Sequence, residues 1–232
     1  MIFKKKITII LLLIIIILIA FIIKNNLNNE KTYFQITDIT IDLKNIENSS
    51  VDDIREVAKK YVRSKSFFNV DINYLQSKIE NIDWISSANI RRSYPNEIII
   101  FVTEHVPIAI WNNKDYLNQY GEIFTANKKN NKFPILISKN NKNKIIFEYL
   151  SLFSNDLIRH NINEKVVKII EDDIRSISVI LSSGITIKLG SKNVKEKIDI
   201  FFKVYQTLNS SDLSKIRYID MRYSNGFSVG WK

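Results

Sequence analysis

There is no Cys in this chain, and only 5 Gly, 3 Pro and 2 His among its 232 residues. Without thiols it cannot build disulfides, thiolate zinc sites, iron–sulfur clusters or a cysteine nucleophile. So few histidines leave almost nothing for a His-rich metal centre. Scarce Gly and Pro exclude collagen-like sequence, low-complexity linkers and Gly-rich phosphate loops. In their place stand 45% hydrophobic residues and 34 Lys and Arg against 24 Asp and Glu, a formal charge of +10. The length fits one or two compact domains. A basic balance first directs attention to nucleic acid.

The N-terminus redirects it. Lys4, Lys5 and Lys6 precede an apolar run from Ile7 to Ile23, broken only by Thr8. As a helix, such a run is about 25 Å long at about 1.5 Å per residue, the lower end of what crosses a bilayer. It closes on Phe21, Ile22, Ile23 and Lys24, without the small-residue pair that marks signal cleavage, so an uncleaved transmembrane helix over 7–23 is expected. Lysines cluster on its N-terminal side, which keeps residues 1–6 in the cytoplasm and exports everything after the polar spacer 24–32. The predicted topology is single-pass, type II. An exported basic domain faces away from the genome, and no nucleic-acid partner is expected.

Two textures follow. Residues 33–103 read as strand, helix, helix, strand, strand: an alternating stretch from Phe34 to Leu43, then helices with apolar spacings of three and four from Val51 to Val62 and after Asp71. Strands from Trp84 to Tyr94 and Glu97 to Glu104 flank a Pro95–Asn96 turn. Residues 104–232 read as short strands with helical stretches at 145–158 and 194–208, a mixed β domain with helices on the sheet. The predicted class is α+β.

Candidates for acid–base chemistry are Glu104 with His105, His160, and Glu171 with Asp172 and Asp173. Paired carboxylates could cleave glycan. Their positions favour plainer roles: a strand end, a helix C-terminus that suits a cation, and an exposed turn. No enzyme, metal or cofactor is expected. Trp84 and Trp111 read as packing residues, while Arg91 and Arg92 point to opposite faces of one strand. The final strand is different in kind. A strand that ends the chain is a candidate sheet edge, open to strand addition, with Tyr223 and Trp231 as anchoring aromatics and Gly226 and Gly230 as points of close approach. Pattern alone favours a buried structural strand over an interface.

Four stretches in order resemble the FtsQ/DivIB family. Trp84, Ile85, Ala88, Ile90, Arg91, Arg92, Tyr94, Pro95 and Ile98 are similar to its Pro-Trp-Val-x-x-Ala-x-Val-Arg-Arg-x-Trp-Pro-x-x-Leu segment, which Asp83 departs from at the first Pro. Thr103, Glu104, Pro107, Ala109 and Trp111 resemble its inter-domain join, Gly121 and Phe124 its Gly-x-x-Phe turn, and Asp220 to Trp231 its terminal strand. The resemblance implies an anchor, a POTRA domain and a β domain in an inner-membrane protein of the division septum. It implies FtsB and FtsL as partners, FtsW–FtsI indirectly, and a C-terminal strand that binds FtsB. By residue, it assigns partner binding to Arg175, Arg222, Tyr223, Asn225, Gly230 and Trp231. A weak homodimer is a further association left open. The competing class is a POTRA-containing transport or chaperone module, which would carry repeated POTRA units and a C-terminal barrel.

Overall fold

The computed structural model describes residues 14–24, 34–42, 47–63, 65–126, 132–223 and 226–232. Residues 14–24 form a helix, α1, with its apolar side chains exposed. Among the described residues no helix is long and apolar enough to cross a membrane. Residues 7–13 of the expected anchor and 25–32 of the expected spacer lie outside the described residues. Two compact units divide between Glu104 and His105.

The first unit runs β1 (Asp38–Asp42), α2 (Val51–Val62), α3 (Ile72–Glu80), β2 (Ile85–Ser93) and β3 (Glu97–Glu104). Its sheet has the order β1-β3-β2, with β1 parallel and β2 antiparallel to β3. Both helices start where side chains satisfy free backbone donors: Ser50 accepts from the Asp53 N–H, and Asp71 from the Tyr74 N–H. Their apolar stripes, Ile54, Ala58 and Val62 with Leu75 and Ile79, cover the Ile98 and Ile100 face of β3. β1 begins later than the alternation predicts. Phe34 and Gln35 are tied instead to the α2–α3 connection, where the Phe34 carbonyl accepts from the Phe67 N–H at 2.7 Å and Gln35 bridges to Ser66.

The second unit runs β4 (Pro107–Trp111), β5 (Asp115–Asn118), β6 (Ile123–Phe124), β7 (Ile135–Ser138), α4 (Asn143–Arg159) and β8 (Val166–Glu171). It continues with β9 (Ile177–Leu181), β10 (Thr186–Gly190), α5 (Val194–Tyr205), α6 (Ser210–Leu213), β11 (Ile216–Asp220) and β12 (Ser228–Trp231). All nine strands share one mixed sheet, β12-β11-β10-β9-β8-β7-β4-β5-β6. The parallel neighbours β7–β8 and β10–β11 are each joined through a helix, α4 and α5, as a parallel pair requires a crossover. Phe153 of α4 meets Phe201 and Phe202 of α5 with ring centroids 5.7 and 5.4 Å apart, over strand residues such as Leu136, Ile169 and Ile187.

Glu171 corrects the reading of 171–173 as an exposed turn. It ends β8 on the buried side, 3% exposed, where the Ser138 hydroxyl donates to it and Lys142 Nζ lies 3.7 Å away. Only Asp172 and Asp173 belong to the turn. The second helix of this unit also stops at Tyr205 rather than Leu208, with a separate short turn following it.

Candidate functional site

β12 lies at one end of the sheet order and pairs antiparallel with β11, Ile216 facing Trp231, Tyr218 facing Gly230 and Asp220 facing Ser228. Its start shares a row with the ends of β8, β10 and β11, because Glu171 pairs with Ile177, Gly190 with Ile177, and Lys188 with Asp220. That row brings Arg175 and Arg222, 47 positions apart in sequence, to one end of the sheet.

Asp220 and Arg222 form the electrostatic centre there. Arg222 Nε donates to Asp220 Oδ1 at 2.9 Å and Nη2 to Oδ2 at 2.6 Å, a forked pair in which Nη1 takes no part. Asp220 is almost wholly buried, whereas the Arg222 side chain is half exposed. The hydrogen bond from Arg222 holds the Asp220 carboxyl below the usual carboxylate range, and the same bond raises Arg222. The stem of Arg222 rests on Gly190, a strand-end glycine at φ +76°, where an added Cβ would stand 3.3 Å from its Cγ.

Tyr223 follows directly and is 60% exposed; Trp231, at the end of β12, is 55% exposed. The Trp231 end is held by Lys232, whose N–H donates to the Lys215 carbonyl at 2.8 Å. Gly230 has an intramolecular cause: a Cβ there would overlap the ring of Tyr218, which carries Lys188 Nζ 4.2 Å from its centroid. Gly226, by contrast, faces open space. Arg175 occupies the β8–β9 turn at φ +63°, a conformation unusual for Arg, held because Asp172 Oδ1 accepts the N–H groups of Ile174 and Ser176. Asn225 lies outside the described residues.

Sequence reading missed a cleft beside this edge. About 370 Å³ in volume, it lies between the start of α5 and the segment after β11, lined by Lys192, Lys197, Ile200, Met221, Arg222 and Phe227 among others. Lys192 and Lys197 come to line it because Met221, Arg222 and Phe227 fold back beside them, contacts between segments far apart in sequence.

The acid–base candidates are engaged elsewhere and apart. Glu104 accepts the backbone N–H groups of Glu47, Asn48 and Ser49 at 3.1, 3.0 and 2.5 Å. Burial pushes its carboxyl up, but the hydrogen bonds from Ser49, Glu47 and Asn48 outweigh this and hold it below its ordinary value. His105 stacks on Phe124 at 4.3 Å and meets Asn118 Nδ2 at 3.0 Å; burial lowers its pKa, opposed by Glu122. His160 stacks on Phe202 at 5.5 Å. Among the described residues no group of three His, Cys, Asp or Glu could hold a metal ion. Arg92 Nη2 donates to the Val70 carbonyl at 2.6 Å, while Arg91 Nε donates to Asn89 Oδ1 at 3.4 Å and its guanidinium lies over the Phe101 ring.

Comparison with known proteins agrees with this architecture. A family model described as cell division protein FtsQ/DivIB, C-terminal, matches residues 109–222, and one described as POTRA domain, FtsQ-type, matches residues 37–105. The C-terminal match closes at Arg222, one residue before Tyr223. The cell division protein FtsQ of Aliivibrio fischeri is 30% identical over 189 residues, 81% of this chain and 73% of the relative. That of Actinobacillus pleuropneumoniae is 29% identical over 182 residues, covering 77% and 79%. For Coxiella burnetii the figures are 27% over 209 residues, 89% and 84%. With a POTRA unit, a mixed β unit and relatives matched along most of their length, this chain belongs to the FtsQ family of cell division proteins.

Proposed function

We propose that the chain is a non-enzymatic scaffold of the division machinery that captures FtsB, together with FtsL, by strand addition to β12. Residues 7–23 anchor it in the inner membrane, with 1–6 in the cytoplasm and the domains 33–103 and 104–232 in the periplasm at the septum. The POTRA unit assists placement at the division site. Through FtsB and FtsL the scaffold bears on septal peptidoglycan synthesis by FtsW–FtsI.

The observation that carries this reading is the edge position of β12, whose strand partner among the described residues is β11 alone. An incoming strand would draw affinity from main-chain hydrogen bonds and specificity from side chains beside them. Trp231 ends β12 and Tyr223 lies between β11 and β12, both as large, exposed rings, the residue types that anchor interfaces. Arg222, and Arg175 across the row, offer guanidinium donors to acidic side chains of the partner.

The test is affinity purification from detergent-solubilised membranes, comparing the intact chain with Tyr223→Ala/Trp231→Ala. Both substitutions are at exposed rings, so the fold is retained, whereas truncation after Met221 would also strip β11 of its neighbour. Recovery of FtsB and FtsL with the intact chain but not with the variant supports the reading. Equal recovery with both would move the site elsewhere.

A further inference from the structure

The POTRA unit carries a second group of aromatic rings, at the end opposite Glu104. Phe34, Phe67 and Phe68, and Tyr94 come from three separate segments and form one chain of contacts. Ring centroids are 5.1 Å apart for Phe34–Phe68, 5.4 Å for Phe67–Phe68 and 6.0 Å for Phe67–Tyr94, all edge-on. None of the four joins the hydrophobic core of the unit. Phe68 is 58% exposed and Tyr94 73%. Phe34 and Phe67 are half-buried behind them, so the cluster is ordered within itself and presents Phe68 and Tyr94 outward.

Their surroundings are basic. The last turn of α2 presents Lys59 and Lys60, followed by Arg63, all exposed and without ion pairs among the described residues. Of the nearby carboxylates, Asp71 caps α3, Glu97 accepts from Thr40 and Asp38 accepts from Thr37, which leaves Glu56 beside Lys59, Lys60 and Arg63 and the patch net basic.

We infer that this aromatic tip is a membrane-contact site, seated in the headgroup layer of the bilayer that holds the N-terminal helix. Amphipathic and aromatic rings partition to that layer, and flanking lysines and arginines are drawn to anionic headgroups. Chain length supports the same occupant. Nine residues, 25–33, separate α1 from Phe34, a connection of at most about 30 Å at about 3.3–3.6 Å per residue. Phe34 enters the unit at the ring cluster, while the far end, beyond Ile85 and Glu104, lies a further nine-residue strand away, about 30 Å at about 3.3 Å per residue. The tip is therefore the end the tether brings to the bilayer. This rests on the anchor proposed above.

The absence of Cys makes site-directed labelling clean. Full-length Phe68→Cys, Tyr94→Cys and Asn81→Cys, each bearing the fluorophore NBD, are reconstituted into phosphatidylethanolamine–phosphatidylglycerol vesicles with lipids spin-labelled just below the headgroup. Asn81, the exposed C-cap of α3, reports the far end. Severalfold stronger quenching and a blue shift at 68 and 94 relative to 81 are expected. Equal quenching at all three positions, with protein that still floats with the vesicles after alkaline carbonate, overturns the contact site and leaves the anchor standing. Protein stripped by carbonate overturns the anchor, and the contact site with it.

Discussion

β6 and β12 close opposite ends of the same sheet among the described residues, and they are built differently. β6 is two residues long, and its Phe124 is covered by His105 on one side and stacked with Tyr116 at 5.6 Å on another. β12 is four residues long and ends on Trp231, which stays in solvent, as does Tyr223 between β11 and β12. Very short strands are one way proteins blunt an edge against unwanted pairing. On the proposed function, the difference between these edges separates a protected margin from the one that docks a partner strand.

The largest expected effect is on that docking. Tyr223→Ala/Trp231→Ala should weaken FtsB capture by about 2–4 kcal/mol, thirtyfold or more, while the urea midpoint stays nearly constant. Titration of a labelled FtsB periplasmic segment against the detergent-solubilised chain measures the first, and a denaturation curve the second. Next comes Gly230→Ala, which forces a Cβ into the Tyr218 ring and should cost about 1–3 kcal/mol of stability by overpacking. A melting temperature unchanged from the parent would show that β12 is not packed on β11 as described.

A smaller effect follows from charge. Asp220 and Glu104 are both held below their ordinary values. Each therefore stabilises the fold above the unfolded carboxylate range and loses that contribution as pH falls through its folded value, below about pH 4. Asp220→Asn should flatten the acid limb of a stability–pH curve. An unaltered limb would mean that the Arg222 pair contributes nothing in solution. Smallest of all is Ile123→Lys on β6, a partly exposed position where stability should move by less than about 0.5 kcal/mol and capture of FtsB not at all. Were this substitution to match the double variant in its effect on capture, the contrast between the edges would collapse.

Local periodicity made much of the fold readable. The spacing of Ile54, Ala58 and Val62 reproduces α2 from Val51 to Val62, and the Asp71 cap locates the start of α3. Strand pairing was less accessible, because β10 meets β11 in parallel across an intervening helix and nothing local to either strand records that register. At the site, exposed Tyr223 and Trp231 were visible as aromatic residues in a terminal strand. Their neighbours were not: Gly190 beneath Arg222, the wall formed by Lys192 and Lys197, and the Asp172 turn that holds Arg175 depend on contacts between distant segments. Gly230 shows the reverse case. A small residue that looked like an opening for a partner backbone is already required by the chain's own Tyr218.

Amide hydrogen exchange on the full chain in detergent, with and without the FtsB periplasmic segment, tests strand addition at β12 most directly. Slowed exchange within Ser228–Trp231, with no change at Ile123–Phe124, is the predicted result. Binding that leaves 228–231 unprotected, or that protects the β6 edge instead, would contradict it.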